Sequence, residues 1–173
     1  PLHLEDTRAR TIPAQLAAIR KLGALAPVEL IIVDHLQLMK AVGHVEKRYV
    51  ELGEIVHSLK VMAKEMKLPV ILLSQLNRDC EAENRRPQLS DLKETGDLEQ
   101  DADIVLFVHR PERYAKNARK PELRGVAEFI IAKQREGPEG LIHMIFLHQF
   151  VRFECRAQDQ DPQSEQESFL DGV

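Results

Sequence analysis

The run Leu30-Ile31-Ile32-Val33-Asp34 limits the fold of this chain more than any other stretch. Four apolar residues, three of them β-branched, stop at one carboxylate. A short apolar run of this kind reads as a central strand of a parallel sheet, buried on both faces. In open α/β sheets, ligands bind just beyond the carboxyl ends of the strands. An Asp at that point can hold the Mg²⁺ of a bound nucleotide. Taken alone, it could equally cap the next turn.

Two further apolar runs follow the same grammar. Val70 to Leu73 ends in Ser74 and Gln75, and Ile104 to Val108 ends in His109 and Arg110. In a parallel sheet these ends share one edge, so Asp34 and Gln75 would line one crevice. A side-chain amide there can donate to a phosphate oxygen or hold a water.

The stretches between the runs suit such a sheet. Leu2 to Leu4 reads as a short strand. Thr11 is a helix N-cap with Pro13 in the first turn, and Leu16, Ile19 and Leu22 form a stripe that Gly23 ends. A long helix spans about Glu46 to Lys67, with Tyr49, Leu52, Val56, Leu59, Ala63 and Met66 on one face, and Leu68-Pro69 stops it. Residues 77–97 look like an extended loop, a length that is usually functional or disordered. A short helix is expected near 97–102. Val126–Arg135, Leu141–Leu147 and Val151–Glu154 then read as strands, with a turn at Gly137-Pro138-Glu139-Gly140. The order predicts an α/β fold: a mostly parallel sheet with antiparallel edge strands. Residues 157–173, rich in Gln, Asp, Glu and Ser, read as a disordered tail.

Composition narrows the classes. The chain has 173 residues, enough for one sizeable core, and its net charge of −4 argues against a broadly basic duplex-binding surface. It leaves room for a nucleic-acid groove lined by a few cations. No apolar stretch approaches the roughly 20 residues that span a bilayer, and no signal peptide is visible. Cys80 and Cys155 have no pairing pattern, which suggests a reducing, cytoplasmic setting. The seven histidines lack metal-ligand spacing. The first residue is not Met, so a piece of a longer protein is expected.

Several segments in order resemble the DnaB-type replicative DNA helicases. They are Asp34 to Met39, Leu59 to Glu65, Pro69 to Arg78, residues 86–103, Ile104 to Arg110, and Ala132-Lys133-Gln134-Arg135-Glu136-Gly137-Pro138. The resemblance implies the C-terminal part of a RecA-like P-loop NTPase domain over residues 1–156, truncated on its N-terminal side. It implies a homo-hexameric ring around single-stranded DNA, with ATP and Mg²⁺ between subunits, and primase and a helicase loader as partners of the full-length protein. No membrane association is implied.

By the same resemblance, Asp34 is the Mg²⁺-associated acid, and Gln75, beside Ser74 in the nucleotide site, is the γ-phosphate sensor. Arg135 is the arginine finger for a neighbouring subunit's ATP, with Lys133 beside it. Two residues apart on a strand, 133 and 135 point to the same face, and a guanidinium suits charge building on a transferring phosphoryl group. Lys93, Glu94 and Gly96 match the DNA-facing loop, and Arg85 and Arg86 are further candidates for DNA contact. That segment is no basic patch: Arg78, Arg85, Arg86 and Lys93 stand against Asp79, Glu81, Glu83, Asp91 and Glu94. His35 stands where the family most often carries a Tyr, and no chemistry is assigned to it.

One departure matters. No G-x-x-x-x-G-K-S/T loop occurs in these residues. The family's phosphate loop and its water-activating glutamate are expected upstream, so the fragment alone should not hydrolyse ATP. Two alternatives stand beside the helicase. One is another RecA-like ring ATPase, such as a RadA-type recombination protein or a clock-type ATPase. The other is a non-enzymatic interaction module that kept the fold and lost catalysis.

Overall fold

The computed structural model describes residues 2–6, 11–43, 45–117 and 119–155, with backbone alone at 93–97 and 115. The tail expected at 157–173 lies outside the described residues.

Helix α1 (Ile12–Gly23) starts at Thr11, whose backbone is extended as an N-cap requires but whose hydroxyl makes no capping bond. Ile12, Leu16 and Ile19 give it a partly buried stripe. Strand β1 (Ile31–Val33) pairs in parallel with β2 (Val70–Leu72), Ile32 opposite Ile71. The crossover between them is α2 (Arg48–Met66), which ends on Lys67 in the left-handed conformation. Residues 2–6 form no strand, and Leu2 and Leu4 are exposed.

The third apolar run departs from expectation. Strand β3 (Ile104–His109) pairs antiparallel with β4 (Val126–Gln134), which pairs with β5 (Gly140–Leu147) and then β6 (Arg152–Cys155). Among the described residues the sheet is therefore two pieces: a parallel pair and an antiparallel meander. The turn at residues 137–140 joins β4 to β5 as the sequence indicated.

Helix α2 unites the pieces. Leu52, Ile55, Leu59 and Met62 of its buried face share one core with Val33 of β1 and with Val105 and Phe107 of β3. Tyr49, expected on that face, is exposed. The expected loop at 77–97 carries local order: a short helix α3 (Asp79–Glu83), a 3₁₀ segment (Leu89–Thr95) and the start of α4 (Gly96–Asp101). Asn77 helps to start α3, since its Oδ1 accepts from the Asp79 backbone N–H at 3.2 Å.

The strands are not buried on both faces. Ile32 is 57% exposed and Ile71 47%, while Ile104, Leu106 and Val108 alternate with buried Val105 and Phe107. One side of each strand meets the α2 core, and no described residue covers the other. Among the described residues, no helix is long and apolar enough to cross a membrane.

Candidate functional site

The parallel pairing brings two expected residues together. The Leu73 N–H donates to the Val33 carbonyl at 3.0 Å, and the Leu36 N–H returns to the Leu73 carbonyl at 2.9 Å. Asp34 and Ser74-Gln75 thus leave adjacent strand ends side by side. The Asp34 carboxylate is 74% exposed and faces solvent beyond the sheet.

Two residues without an assigned role organise this edge. His35 lies between the two candidates, its Nδ1 3.6 Å from the Asp34 carboxylate and its Nε2 3.3 Å from the Gln75 side-chain nitrogen. Gln37 donates from Nε2 to the Ser74 hydroxyl at 3.1 Å and accepts the Gln75 backbone N–H on Oε1 at 3.3 Å. Gln37 is held in turn by Arg48, whose Nη2 donates to the Gln37 carbonyl at 2.8 Å. Arg48 also pairs with Glu51, and this hydrogen bond is the main cause holding the Glu51 carboxyl below its usual range. A cleft of about 280 Å³ borders the edge, lined by Gln37, Gln75, Leu76, Asn77, Arg78, Asp91 and Leu92.

The donor set suits a nucleotide-borne cation better than a protein cage. Among the described residues, no group of three or more His, Cys, Asp or Glu could hold a metal. Mg²⁺ with nucleotides is commonly held by one or two carboxylates plus phosphates and waters. A single solvent-facing carboxylate at a parallel-strand end fits that pattern.

Lys133 and Arg135 sit elsewhere, both against the end of α4. The Lys133 ammonium donates to the carbonyls of Glu99 and Gln100, and Arg135 Nη2 donates to the Gln100 carbonyl at 3.1 Å. Cations are favoured beside the unpaired carbonyls of a helix C-terminus. Arg135 Nη1 also lies 3.4 Å from Asp103, and its side chain remains 52% exposed. Asp103 is shared with Lys60, whose hydrogen bond is the main cause lowering the Asp103 carboxyl below its ordinary value. The two cations therefore share a side, as their spacing predicted, and Arg135 is open to solvent.

His109 and Arg110 are not at the nucleotide edge, which corrects the expectation of a common edge for three strands. The reason is the antiparallel pairing of β3. His109 is buried against Glu128 of β4, with its Nδ1 2.8 Å from the carboxylate. Arg110 lies over the Phe146 ring at 3.6 Å and bonds Glu112.

The loop arginines are engaged within the chain. Arg85 makes two hydrogen bonds to Asp91, at 2.7 and 2.8 Å, and Arg86 makes two to Glu128, at 2.8 and 2.6 Å. Lys93, Glu94 and Gly96 lie along the 3₁₀ segment and the first residue of α4; their side chains are outside the described residues.

Glu128 carries a pH prediction. The Arg86 hydrogen bonds lower its carboxyl from the ordinary 4.5 to about 2, with a further lowering from His109, against the opposing effect of burial. A depressed folded-state value stabilises fully above the unfolded value and is lost as pH falls through the folded one. That contribution, about 3 kcal/mol at most, should therefore disappear between about 4.5 and about 2. Equilibrium unfolding of wild type and Glu128→Gln should show a stability gap at neutral pH that closes across this window. A gap constant with pH would contradict the assignment.

Comparison with known proteins agrees with this geometry. The family model described as DnaB-like helicase C terminal domain matches residues 1–155. The replicative DNA helicase DnaB of Pasteurella multocida (strain Pm70) is 45% identical over 166 residues, which cover 92% of this chain and 34% of that protein. The chain thus spans about one third of the length of this curated relative. Among solved structures, an isolated ATPase domain aligns with a TM-score of 0.76 and 34% identity, covering 85% of this chain and 52% of that one. A DnaB-like replicative helicase, solved for its interactions with primase, aligns with a TM-score of 0.77 and 34% identity, over 86% of this chain and 36% of that one. With the RecA-like architecture these neighbours share, the chain belongs to the DnaB-like helicase C-terminal domain family.

Proposed function

We propose that this chain is part of a ring-forming replicative helicase that couples ATP hydrolysis to movement along single-stranded DNA and separation of the duplex. The observation that carries the reading is the parallel β1–β2 pair, which sets Asp34 beside Gln75 while Arg135 stands open to solvent elsewhere. In this reading Asp34 holds the nucleotide's Mg²⁺, which when bound neutralises charge on the transferring phosphoryl group. Gln75, with Ser74, reads the γ-phosphate, and Gln37 and His35 fix its direction. Arg135, aided by Lys133, meets the nucleotide of an adjoining protomer of a hexamer.

The phosphate-cradling loop must come from residues other than these 173. Its source in this reading is the remainder of the ATPase domain, because the chain accounts for 52% of the solved ATPase domain it matches and leaves apolar strand faces bare. Lys93, Glu94 and Gly96 face the DNA. Primase, and a loader, bind the full-length protein; the former partnership follows the DnaB-like relative solved for that interaction.

Coupling runs from Gln75 to the DNA side over a short path. Two residues beyond Gln75, the Asn77 N–H donates to the Asp91 carbonyl at 3.2 Å, at the start of the DNA-facing segment. In the full-length ring, Gln75→Ala should therefore lose stimulation by single-stranded DNA more than it loses basal hydrolysis. Steady-state ATPase with and without an oligonucleotide measures the ratio. Equal loss of both would reduce Gln75 to a binding residue.

A further inference from the structure

Arg85 and Arg86 are adjacent, charged and on a segment assigned to DNA, yet each guanidinium lies against a carboxylate of its own chain. Within the loop, Arg85 forks onto Asp91, whose Oδ2 also accepts the Gln88 N–H at 2.8 Å. Asp91 is 3% exposed. Between loop and sheet, Arg86 forks onto both oxygens of Glu128. The Glu128 side chain is 10% exposed, and its second neighbour, His109, is 8% exposed. Glu128 sits near the start of β4, whose other end carries Lys133.

A bidentate guanidinium–carboxylate pair is planar and directional, so it fixes orientation as well as distance. A buried ion pair adds little net stability over an apolar replacement, but removing one partner is strongly unfavourable. Such a pair between a loop and a strand is suited to set where the loop sits. The 3₁₀ segment begins at Leu89, close behind Arg86 in the chain, and Leu92 of that segment is buried in the core.

We propose that Glu128 is a positioning residue for the DNA-facing loop: it ties Arg86 to strand β4 and so sets the register in which residues 93–96 meet successive phosphates. Arg86 is then a tether and not a phosphate contact. This rests on the reading of residues 93–96 as DNA-facing.

Two kinds of arginine respond differently to salt. A side chain that neutralises a phosphate contributes about 0.7 to the slope of log affinity against log salt on single strands, whereas a tether contributes nothing to it. The test is binding of a fluorescent oligo-dT to the full-length ring with a non-hydrolysable ATP analogue, across a salt series. Glu128→Gln should weaken binding about tenfold, the equivalent of ~1.4 kcal/mol, with the slope unchanged. Arg86→Lys is the milder companion. It keeps the charge and loses the fork, so it should also weaken binding at an unchanged slope. Lys93→Ala should lower the slope.

Wild-type affinity in both Glu128→Gln and Arg86→Lys would overturn the proposal. So would wild-type affinity in Arg86→Lys together with a lowered slope in Arg86→Ala, the signature of a phosphate contact. A wild-type ring that fails to bind oligo-dT would instead overturn the functional reading on which the proposal rests.

Discussion

Replacing Arg135 with alanine in the full-length ring should reduce DNA-stimulated ATP hydrolysis by about a thousandfold or more, the scale of an arginine finger. Nucleotide binding should remain nearly intact. The expectation follows from where the side chain is. Arg135 is held by the Gln100 carbonyl and Asp103, is 52% exposed, and makes no hydrogen bond or ion pair with Asp34 or Gln75 among the described residues. It is therefore free to serve a site that its own strand ends do not form. Arg135→Lys should rescue poorly, because an ammonium lacks the planar fork that meets a phosphoryl group. Steady-state turnover beside equilibrium binding of a fluorescent nucleotide separates the two effects. Wild-type turnover in Arg135→Ala would remove the finger assignment.

Asp34→Asn should lower magnesium-dependent hydrolysis about a hundredfold or more, since charge stabilisation at a nucleotide-bound cation is worth several kcal/mol. Asparagine keeps the shape and removes the charge. The carboxylate faces solvent at the end of β1 and is not part of the core, so the substitution should leave folding unaffected. The diagnostic is nucleotide affinity measured with and without magnesium. Wild type should bind more tightly with the cation present, and Asp34→Asn should show little difference. A wild-type magnesium response in the variant would assign Asp34 to the turn that follows it.

The nucleotide edge was legible because parallel strands announce themselves: apolar runs that stop at Asp34 and at Ser74-Gln75 place those residues wherever the pairing places the strand ends. Helix α2 and the meander β4–β6 were legible for equally local reasons, the spacing of Leu52, Val56 and Leu59 and the turn at residues 137–140. The direction of β3 was not, because an antiparallel partner that begins only at Val126 leaves no mark on the run itself. His109 and Arg110 were accordingly placed on the wrong edge. Ile32, Ile71 and Ile104 read as buried because their types suit a covered sheet, while the described residues cover only one side of each strand. The charges of residues 77–96 looked like a balanced, solvated loop. Balance in a sequence does not say which charges meet, and here Arg85 meets Asp91 and Arg86 meets Glu128. Gln37 and His35 gave no signal of their own, because their contacts exist only once the 34–38 segment folds back over residues 73–75.

The most direct test of the central claim is a structure of the full-length ring with an ATP analogue and Mg²⁺. The account predicts that Asp34 and Gln75 border the nucleotide bound by their own protomer, and that the guanidinium of Arg135 lies within hydrogen-bonding distance of the γ-phosphate held by the adjoining one. An Arg135 that reaches no nucleotide, or one turned toward its own protomer's cleft, would contradict it.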